Sequence, residues 1–176
     1  MKIAIIGYSG SGKSTLARLI SDHYDIPVLH LDTVEFLPGW ESRELSEKIE
    51  IVRNFLNLNS SWVIDGNYGK LLYWERMEQA DHIVMLHFSP LNSIWRVIKR
   101  YFKFKGTSRP DMAKDCNEKL DFEFIKRVLF DGRNEILQQR YEDVLKRYHH
   151  KVTMIKNQNE LDYFIECIIH PILLNK

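Results

Sequence analysis

The 176-residue chain is 44% hydrophobic and 28% charged, which is ordinary composition for one globular domain with its own core. A formal net charge of +1 provides no overall attraction to DNA or to an anionic membrane, and no apolar stretch approaches the length of a membrane span. Only six residues precede Gly7, and the two cysteines lack metal-ligand spacing, so we expect a cytoplasmic protein with no signal peptide.

The first predicted strand covers residues 2–6 and leads directly into a glycine-rich segment at residues 7–15. That segment has the phosphate-loop pattern G-x-x-x-x-G-K-S/T, and a predicted helix at residues 15–22 follows it. Glycines let the backbone adopt positive φ and approach a ligand closely, so that successive N–H groups surround phosphate oxygens. The residues that we predict to hold the triphosphate of ATP are Gly7, Ser9, Gly10, Ser11, Gly12, Lys13, Ser14 and Thr15.

Two residues of this segment carry the chemistry that a nucleoside triphosphate requires. Lys13 supplies a positive charge to the β and γ phosphates, and the hydroxyl of Ser14 is a ligand for Mg²⁺. The alternative is a glycine-rich turn without a ligand. The order of strand, loop and helix favours the phosphate loop, because the helix N-terminus adds its partial positive charge at the same place.

The rest of the chain alternates predicted strands with predicted helices, which indicates a parallel sheet with helices on both faces. Further strands are predicted at residues 27–31, 61–64, 82–88 and 152–155. Further helices are predicted at residues 42–58, 71–77, 90–102 and 121–148 with a break at 131–132, and a last helix is capped by Asn159. Residues 104–120 lack helical periodicity and contain Gly106 and Pro110, so we predict a mobile loop or lid there.

Two predicted strands end on a carboxylate beside the phosphate loop, Asp32 after residues 27–31 and Asp65 after residues 61–64. Ligands of open α/β sheets bind at the carboxyl ends of strands, so both are candidates for the active site. Asp65 has the form of a carboxylate that holds a metal-bound water, and Asp32 is the candidate base or orienting group for a phosphoryl acceptor. The alternative for each is a turn or helix-cap aspartate. We interpret His30 as an ordinary strand histidine.

Residues 82–110 contain six basic side chains and no Asp or Glu. Arg96 and Arg100 are four residues apart on one helix face, so both guanidinium groups can reach one phosphate chain. Arg109 lies in the predicted lid and can move in on closure as an arginine finger. We predict that these three arginines neutralise charge during phosphoryl transfer, and we favour a solvated helix face for Lys99 and Lys103.

Several short motifs beyond the phosphate loop resemble those of one known family. They are His30-Leu31-Asp32 with Pro38-Gly39-Trp40, the segment 62–68, Arg76 ahead of Ala80-Asp81, and Arg109-Pro110-Asp111 with Cys116 and Glu118. With them, nearly the whole chain resembles the bacterial DNA topology modulation protein (FlaR-like) family, whose members are similar to adenylate kinases and other small P-loop kinases. Weaker candidates for an acceptor pocket are Trp40, Arg43, Arg76 and Arg133.

The resemblance implies the α/β fold class, as a three-layer α/β/α P-loop NTPase. It implies a five-stranded parallel sheet in the order 2-3-1-4-5, and one adenylate-kinase-like domain over residues 1–176 with a small helical lid. It also implies that Arg96 and Arg100 match the arginine pair that adenylate kinases place before their lid. Asp65 and Gly66 match their Asp-Gly after the third strand, but Asn67 follows here in place of a Pro-Arg pair. The acceptor therefore need not be AMP, and the absence of four lid cysteines excludes a zinc-bearing lid.

These observations predict an ATP- and Mg²⁺-dependent kinase that moves the γ-phosphoryl group to a small acceptor, with a nucleotide or nucleoside as one candidate. The predicted catalytic residues are Lys13, Asp32, Arg96, Arg100 and Arg109, and the predicted Mg²⁺ ligands are Ser14 and Asp65. The alternative is a nucleotide-gated DNA-binding or regulatory protein, which the basic stretch at residues 96–109 suggests. The near-neutral net charge and the lack of a recognised DNA-binding motif disfavour it.

Overall fold

The computed structural model describes residues 1–106, 112, 115–116 and 120–169. The strands in this part of the chain are β1 (Lys2–Gly7), β2 (Val28–His30), β3 (Trp62–Asp65), β4 (His82–Leu86) and β5 (Val152–Ile155). The helices are α1 (Lys13–Tyr24), α2 (Leu31–Glu35), α3 (Leu45–Leu58), α4 (Tyr73–Gln79), α5 (Pro90–Phe104), α6 (Phe122–Leu129), α7 (Glu135–Tyr148) and α8 (Gln158–Ile169). Short 3-10 turns lie at Pro38–Trp40, Asp131–Arg133 and His149–Lys151.

The strands form one parallel sheet in the order β2-β3-β1-β4-β5, which confirms the predicted order. β1 lies at the centre, and its residues 3–7 are buried because neighbouring elements cover both faces. Since all strands run in the same direction, their carboxyl ends meet at one edge of the sheet. The phosphate loop begins at this edge, directly after β1.

Two hydrophobic clusters cover the two faces of the sheet. Ile6 belongs to the cluster that contains residues of α2, α3, α4 and α7, and Ile5 belongs to the cluster that contains residues of α1 and α8. Adjacent residues of β1 point to opposite faces, so this division follows from the strand itself. The predicted three-layer arrangement of helices, sheet and helices is confirmed.

The start of α5 has the capping signal that its sequence contains, whereas the predicted cap of α8 is wrong. Ser89 accepts a hydrogen bond from the backbone N–H of Asn92 across 3.3 Å and caps α5, with Pro90 in the first helical position. The predicted break in the helix at 121–148 is confirmed by the 3-10 turn between α6 and α7. The predicted cap of α8 is wrong by two residues: Asn157 accepts from the N–H of Glu160 across 3.0 Å, whereas Asn159 lies inside the helix.

Part of the α5 face that packs against the phosphate loop consists of small residues. Ser93 and Val97 are buried, and a Cβ at Gly10 would lie 2.7 Å from Val97 Cγ2 and 2.8 Å from Ser93 O. A close approach of α5 to the loop therefore requires glycine at this position. Three of the apolar residues that the periodicity places on one side of α5 are exposed instead, namely Leu91, Trp95 and Phe102.

Two further predictions concern the segments around the sheet. The strand predicted at 27–31 is too long, because β2 ends at His30 and α2 begins at once, so Asp32 lies in the first turn of α2. Most of the predicted lid at 104–120, including Arg109, lies outside the described residues, and the single domain with a lid stays a prediction. Among the helices of the described segments, none has both the length and the apolar character needed to cross a bilayer.

Candidate active site

The phosphate loop joins the end of β1 to the start of α1. Gly7, Gly10 and Gly12 have φ values of 148°, 77° and 95°, in the region that L side chains rarely adopt. Gly12 is the N-cap of α1, and Lys13 begins this helix. Lys13 Nζ donates to the carbonyl oxygen of Tyr8 across 2.9 Å, so its charge lies against the loop. The loop thus places a lysine charge and a helix N-terminus at one position, as phosphate binding requires.

The other predicted loop residues differ in exposure. Ser9 is half-buried, Ser11 is fully buried, and Thr15 is exposed in the first turn of α1. The hydroxyl of Ser11 has no hydrogen-bond partner within the described residues. Buried polar groups normally find a partner, so this hydroxyl is an exception within the loop.

Asp65 connects the phosphate loop to β2. Its Oδ2 accepts a hydrogen bond from Ser14 Oγ across 2.9 Å, and its Oδ1 lies 2.5 Å from His30 Nδ1. An ionised carboxylate can only accept, so Nδ1 of His30 carries the proton in this pair. Asp65 is 4% exposed, and β3 holds it rigidly as its last residue. The structure therefore brings the two predicted Mg²⁺ ligands together and gives His30 a specific partner.

The donor set at this place fits Mg²⁺. The hydroxyl of Ser14 and the carboxylate of Asp65 are hard oxygen ligands of the kind that Mg²⁺ prefers. Within the described segments, no group of three or more His, Cys, Asp or Glu side chains could hold a metal ion by itself. A Mg²⁺ ion here would share its remaining coordination sites with water and phosphate oxygens, as is usual for this ion.

The carboxylate of Asp32 is held by a tyrosine from a different segment. Tyr68 OH donates to Asp32 Oδ1 across 2.7 Å. Burial raises the pKa of Tyr68, and the nearby charge of Asp32 raises it further, so the phenol stays protonated. Asp32 therefore keeps a fixed orientation at the carboxyl edge of the sheet, next to Asp65 on the neighbouring strand.

Arg96 is the predicted arginine that contacts the phosphate loop directly. Its Nη1 donates to the carbonyl oxygen of Ser11 across 2.9 Å, and its Nη2 donates to Gln158 Oε1. The guanidinium carbon lies 4.4 Å from the centre of the Phe88 ring. Burial lowers the pKa of Arg96, whereas the charge of Asp162 raises it. The side chain is thus fixed against the loop from the α5 side.

The two other predicted arginines stand differently. Arg100 places its guanidinium carbon 5.7 Å from the centre of the Phe124 ring on α6. Its convergence with Arg96 on one phosphate chain stays a prediction. Arg109 lies outside the described residues, so its role as an arginine finger also stays a prediction.

Arg133 is a weaker candidate for the acceptor pocket, but in the structure it contacts the phosphate loop. Its guanidinium carbon lies 3.8 Å from the centre of the Tyr8 ring, inside the phosphate loop. Its Nη2 donates to Phe88 O across 2.9 Å and to Ser93 Oγ across 3.0 Å. Burial lowers the pKa of Arg133, and the hydroxyls of two tyrosines oppose this effect. Arg133 therefore contacts the phosphate loop, the segment that follows β4, and α5.

Arg76 is a structural residue rather than part of an open pocket. It is fully buried, and it donates to the carbonyl oxygens of Leu71, Tyr68 and Gly66 across 2.9, 3.1 and 3.4 Å. Burial lowers the pKa of Arg76 to about 10. These bonds fix the conformation of the segment 66–71. Arg43 pairs with Glu47 and is likewise used in local structure.

The roles of two residues, Asn67 and Tyr68, were not predicted from the sequence, where they belong to the motif at residues 62–68 and depart from the adenylate kinase pattern. The side-chain amide of Asn67 bonds to both backbone groups of Gly7, and Tyr68 bonds to Asp32. Their position directly after Asp65 and Gly66 is the one signal that could have indicated them.

A cavity of about 260 Å³ lies beside Tyr68, between α3 and the segment 66–71. Lys48 on its wall is 6% exposed and pairs with Glu35 across 2.6 Å, so its charge is compensated inside the protein. The residues that line the cavity are Glu35, Leu45, Lys48, Tyr68, Gly69, Lys70 and Leu71.

A parallel 2-3-1-4-5 sheet with a phosphate loop after its central strand and a carboxylate at the end of the next strand defines a P-loop NTPase. A family model described as ABC transporter matches residues 1–155. The chain belongs to this family of P-loop NTPases.

Known small-molecule kinases resemble the chain over most of its length. A shikimate kinase from Flavobacterium psychrophilum is 26% identical over 143 residues, which are 74% of this chain and 81% of the relative. A gluconokinase structure from Sinorhizobium meliloti has a TM-score of 0.52 at 17% identity and covers 96% of this chain and 89% of its own. A shikimate kinase structure from Acinetobacter baumannii, in complex with shikimate, has a TM-score of 0.51 at 16% identity and covers 99% and 94%.

The chain is thus similar to small-molecule kinases of the P-loop type. At their low identities the two solved structures show the shared fold. The resemblance to DNA topology modulation proteins stays a prediction.

Proposed function

We propose that the chain is an ATP- and Mg²⁺-dependent kinase that transfers the γ-phosphoryl group to a hydroxyl of a small acceptor. The observation that carries this proposal is the 2.9 Å hydrogen bond from Ser14 Oγ to Asp65 Oδ2. It joins the first helical turn after the phosphate loop to the carboxylate of β3, and these are the two groups that hold Mg²⁺ in P-loop NTPases. Bound Mg²⁺ would neutralise charge on the phosphate oxygens during transfer.

The remaining roles follow from where charge develops in phosphoryl transfer. The bond from the γ-phosphorus to the oxygen that bridges to the β-phosphate breaks, and a bond to the acceptor oxygen forms. Lys13 and the loop N–H groups hold the phosphates, and Arg96 adds a positive charge from α5. Arg100 and Arg109 are proposed to act on the same charge.

Asp32 is the proposed base for the acceptor. Tyr68 holds its Oδ1, so Oδ2 is the oxygen that takes the proton from the acceptor hydroxyl. The cavity beside Tyr68 lies on this side of the sheet and is the proposed place for the body of the acceptor. Lys70 on its wall favours an acceptor with a negative charge, because Lys48 is already paired with Glu35.

The experiment is a screen that couples ADP release to an absorbance change. The acceptors to test are nucleosides, nucleoside monophosphates and hydroxylated organic acids such as shikimate and gluconate, since the relatives include a shikimate kinase and a gluconokinase. Lys13→Ala protein, prepared in parallel, controls for contaminating ATPases. We expect an acceptor-dependent signal that the Lys13→Ala variant lacks. Failure of the unaltered chain to bind ATP with Mg²⁺ would refute the proposal.

The DNA-binding alternative has less support. Lys99 and Lys103 are exposed on α5, as a nucleic-acid surface requires, but Arg96 is already held by the phosphate loop and Gln158. Binding through phosphates must weaken steeply as salt is added. A titration of duplex DNA at low salt that shows no binding would exclude this function.

A further inference from the structure

The first residue of the phosphate loop lies beyond the end of one neighbouring strand. Gly66 N donates to Ile5 O across 3.1 Å, and the pairing of β1 with β3 ends where Ile5 lies opposite Asp65. In a parallel ladder, backbone groups of residues two apart face the same neighbour. The N–H and C=O of Gly7 therefore face the β3 side, where the backbone of β3 has already ended.

The side chain of Asn67 takes the place of the missing strand. Gly7 N donates to Asn67 Oδ1 across 3.2 Å, and Asn67 Nδ2 donates to Gly7 O across 2.5 Å. A carboxamide has the same donor and acceptor as a peptide group, so it can pair with a backbone as a strand does. Asn67 thus extends the ladder of β1 by one residue into the loop.

Two residues of α7 hold Asn67 in this position. Asn67 Nδ2 also donates to Tyr141 OH across 2.5 Å, and Arg140 Nη1 donates to the backbone oxygen of Asn67 across 3.1 Å. Tyr141 is 3% exposed, and burial raises the pKa of its hydroxyl, which stays neutral. The amide is therefore held from both ends, by the loop and by the helix.

The opposite side of Gly7 is equally confined. A Cβ at this position would lie 2.4 Å from the carbonyl oxygen of Leu86 on β4. Gly7 is thus placed between β4 and the amide of Asn67, and the direction in which the loop leaves β1 depends on both. The loop N–H groups that follow must point toward the phosphates. A changed orientation of the Gly7 peptide would therefore also change the direction of those N–H groups.

We propose that Asn67, held by Tyr141, is a positioning residue that fixes the opening peptide of the phosphate loop for polyphosphate binding. The proposal rests on the proposed function, because it assigns the loop a triphosphate ligand. The next residue, Tyr68, holds Asp32. One short segment therefore aligns the nucleotide side and the acceptor side of the site.

The first test needs no ligand. Hydrogen exchange of the Gly7 N–H, followed by NMR in the unaltered chain and in Asn67→Leu, reports the hydrogen bond to Asn67 directly. We expect exchange about tenfold faster in the variant, while amides of β4 and β5 keep their protection. Unchanged exchange at Gly7 in a folded variant would overturn the proposal, whether or not the chain binds ATP.

The second test measures the consequence for binding. Calorimetry gives the affinity for ATP with Mg²⁺ and for inorganic tripolyphosphate, which has no base and reports the loop alone. We expect Asn67→Leu to weaken the binding of both ligands by the same factor, about tenfold or more, because both bind to the loop through their phosphates. An unchanged affinity for tripolyphosphate in a folded variant would overturn the proposal.

Two further variants on α7 keep the proposal testable if Asn67→Leu does not fold. Tyr141→Phe removes the hydroxyl that holds Asn67, whereas Tyr148→Phe removes a hydroxyl that donates to Glu78 away from the loop. We expect about threefold weaker tripolyphosphate binding in Tyr141→Phe and no change in Tyr148→Phe. Equal affinities in the two variants would count against the role of Tyr141. If the unaltered chain binds neither ATP nor tripolyphosphate, the kinase proposal is refuted instead. The exchange rate of the Gly7 N–H would still test whether Asn67 holds the loop.

Discussion

Tyr68 and Asp32 are 36 positions apart in the chain, yet the phenol of one donates to the carboxylate of the other across 2.7 Å. If Asp32 takes the acceptor proton, this bond sets the direction of its second oxygen. Tyr68→Phe should lower kcat about tenfold with little change in ATP affinity, and Asp32→Asn should lower it about 100-fold or more. Steady-state kinetics with the acceptor from the screen, alongside calorimetry of ATP, separates the two effects. Tyr163→Phe, on the exposed side of α8, is the control. Equal losses in kcat and ATP affinity would place Asp32 in the nucleotide site.

Lys13 should carry much of the affinity for triphosphate. Its Nζ lies against the loop through a 2.9 Å bond to Tyr8 O, and a charged hydrogen bond to phosphate replaces that contact on binding. Lys13→Ala should weaken ATP binding about 30-fold or more by calorimetry. Lys99→Ala, an exposed lysine on α5, should change it less than about twofold. Similar affinities in the two variants would mean that the loop does not hold the phosphates.

The pair of Ser14 and Asp65 predicts how nucleotide binding depends on Mg²⁺. In the unaltered chain, removal of Mg²⁺ with EDTA should weaken ATP binding. In Asp65→Asn, the affinity for ATP in the presence of Mg²⁺ should fall to about the value that the unaltered chain shows in EDTA, because the amide is a poor ligand for this ion. Asp22→Asn, exposed on α1, should keep the full dependence. A Mg²⁺ dependence that survives in Asp65→Asn would contradict the assignment.

Arg76 should contribute strongly to the free energy of unfolding. It is fully buried and satisfies three backbone carbonyls of the segment 66–71. Arg76→Met leaves those carbonyls without donors, so urea unfolding should show a loss of about 3 kcal/mol or more. Arg53→Met, at an exposed position of α3, should stay within about 0.5 kcal/mol of the unaltered chain. A small loss in Arg76→Met would mean that the segment 66–71 finds other partners.

His87 should make stability depend on pH in the acidic range. Burial lowers the pKa of His87, and the charges of Arg133 and Lys156 lower it further, whereas its own backbone raises it. The unfolded chain therefore binds a proton at a higher pH than the folded chain does. The contribution is fully present above the ordinary histidine pKa of about 6.5 and is lost as the pH falls through the lowered value. In urea unfolding below about pH 6.5, the free energy of unfolding of His87→Gln should decrease less than that of the unaltered chain. His82→Gln, exposed at the start of β4, should follow the unaltered chain.

The phosphate loop could be predicted because its signals are local, whereas the order of the strands was implied by the family resemblance. The glycines, Lys13 and the flanking strand and helix stand within one short stretch of sequence, and the alternation of strands and helices restricts the topology. The face of α5 could not be predicted from periodicity, since its contact surface consists of Ser93 and Val97. Only the close approach of Gly10 explains why small residues face inward there.

The details of the site are non-local, and sequence patterns do not contain them. Asn67 bonds to a residue 60 positions away, and no spacing rule connects a carboxamide to a backbone peptide at that distance. Arg76 and Arg133 are weaker candidates for an acceptor pocket in the sequence, because a sequence shows the charge of an arginine and not its burial. In the folded chain Arg76 donates to backbone carbonyls, whereas Arg133 donates to Phe88 O and Ser93 Oγ and lies over the ring of Tyr8.

β1 lies between β3 and β4 in the sheet, and the residues of the candidate site come from two separate stretches of the chain. Asp32, Asp65 and the cavity come from residues before 72, whereas Arg96 and Arg133 come from residues after 90. If the chain is the proposed kinase, changes in the cavity residues of the first stretch can alter the phosphoryl acceptor. The phosphate loop at residues 7–15 and the arginines of the second stretch, which are proposed to bind the polyphosphate, need not change with them.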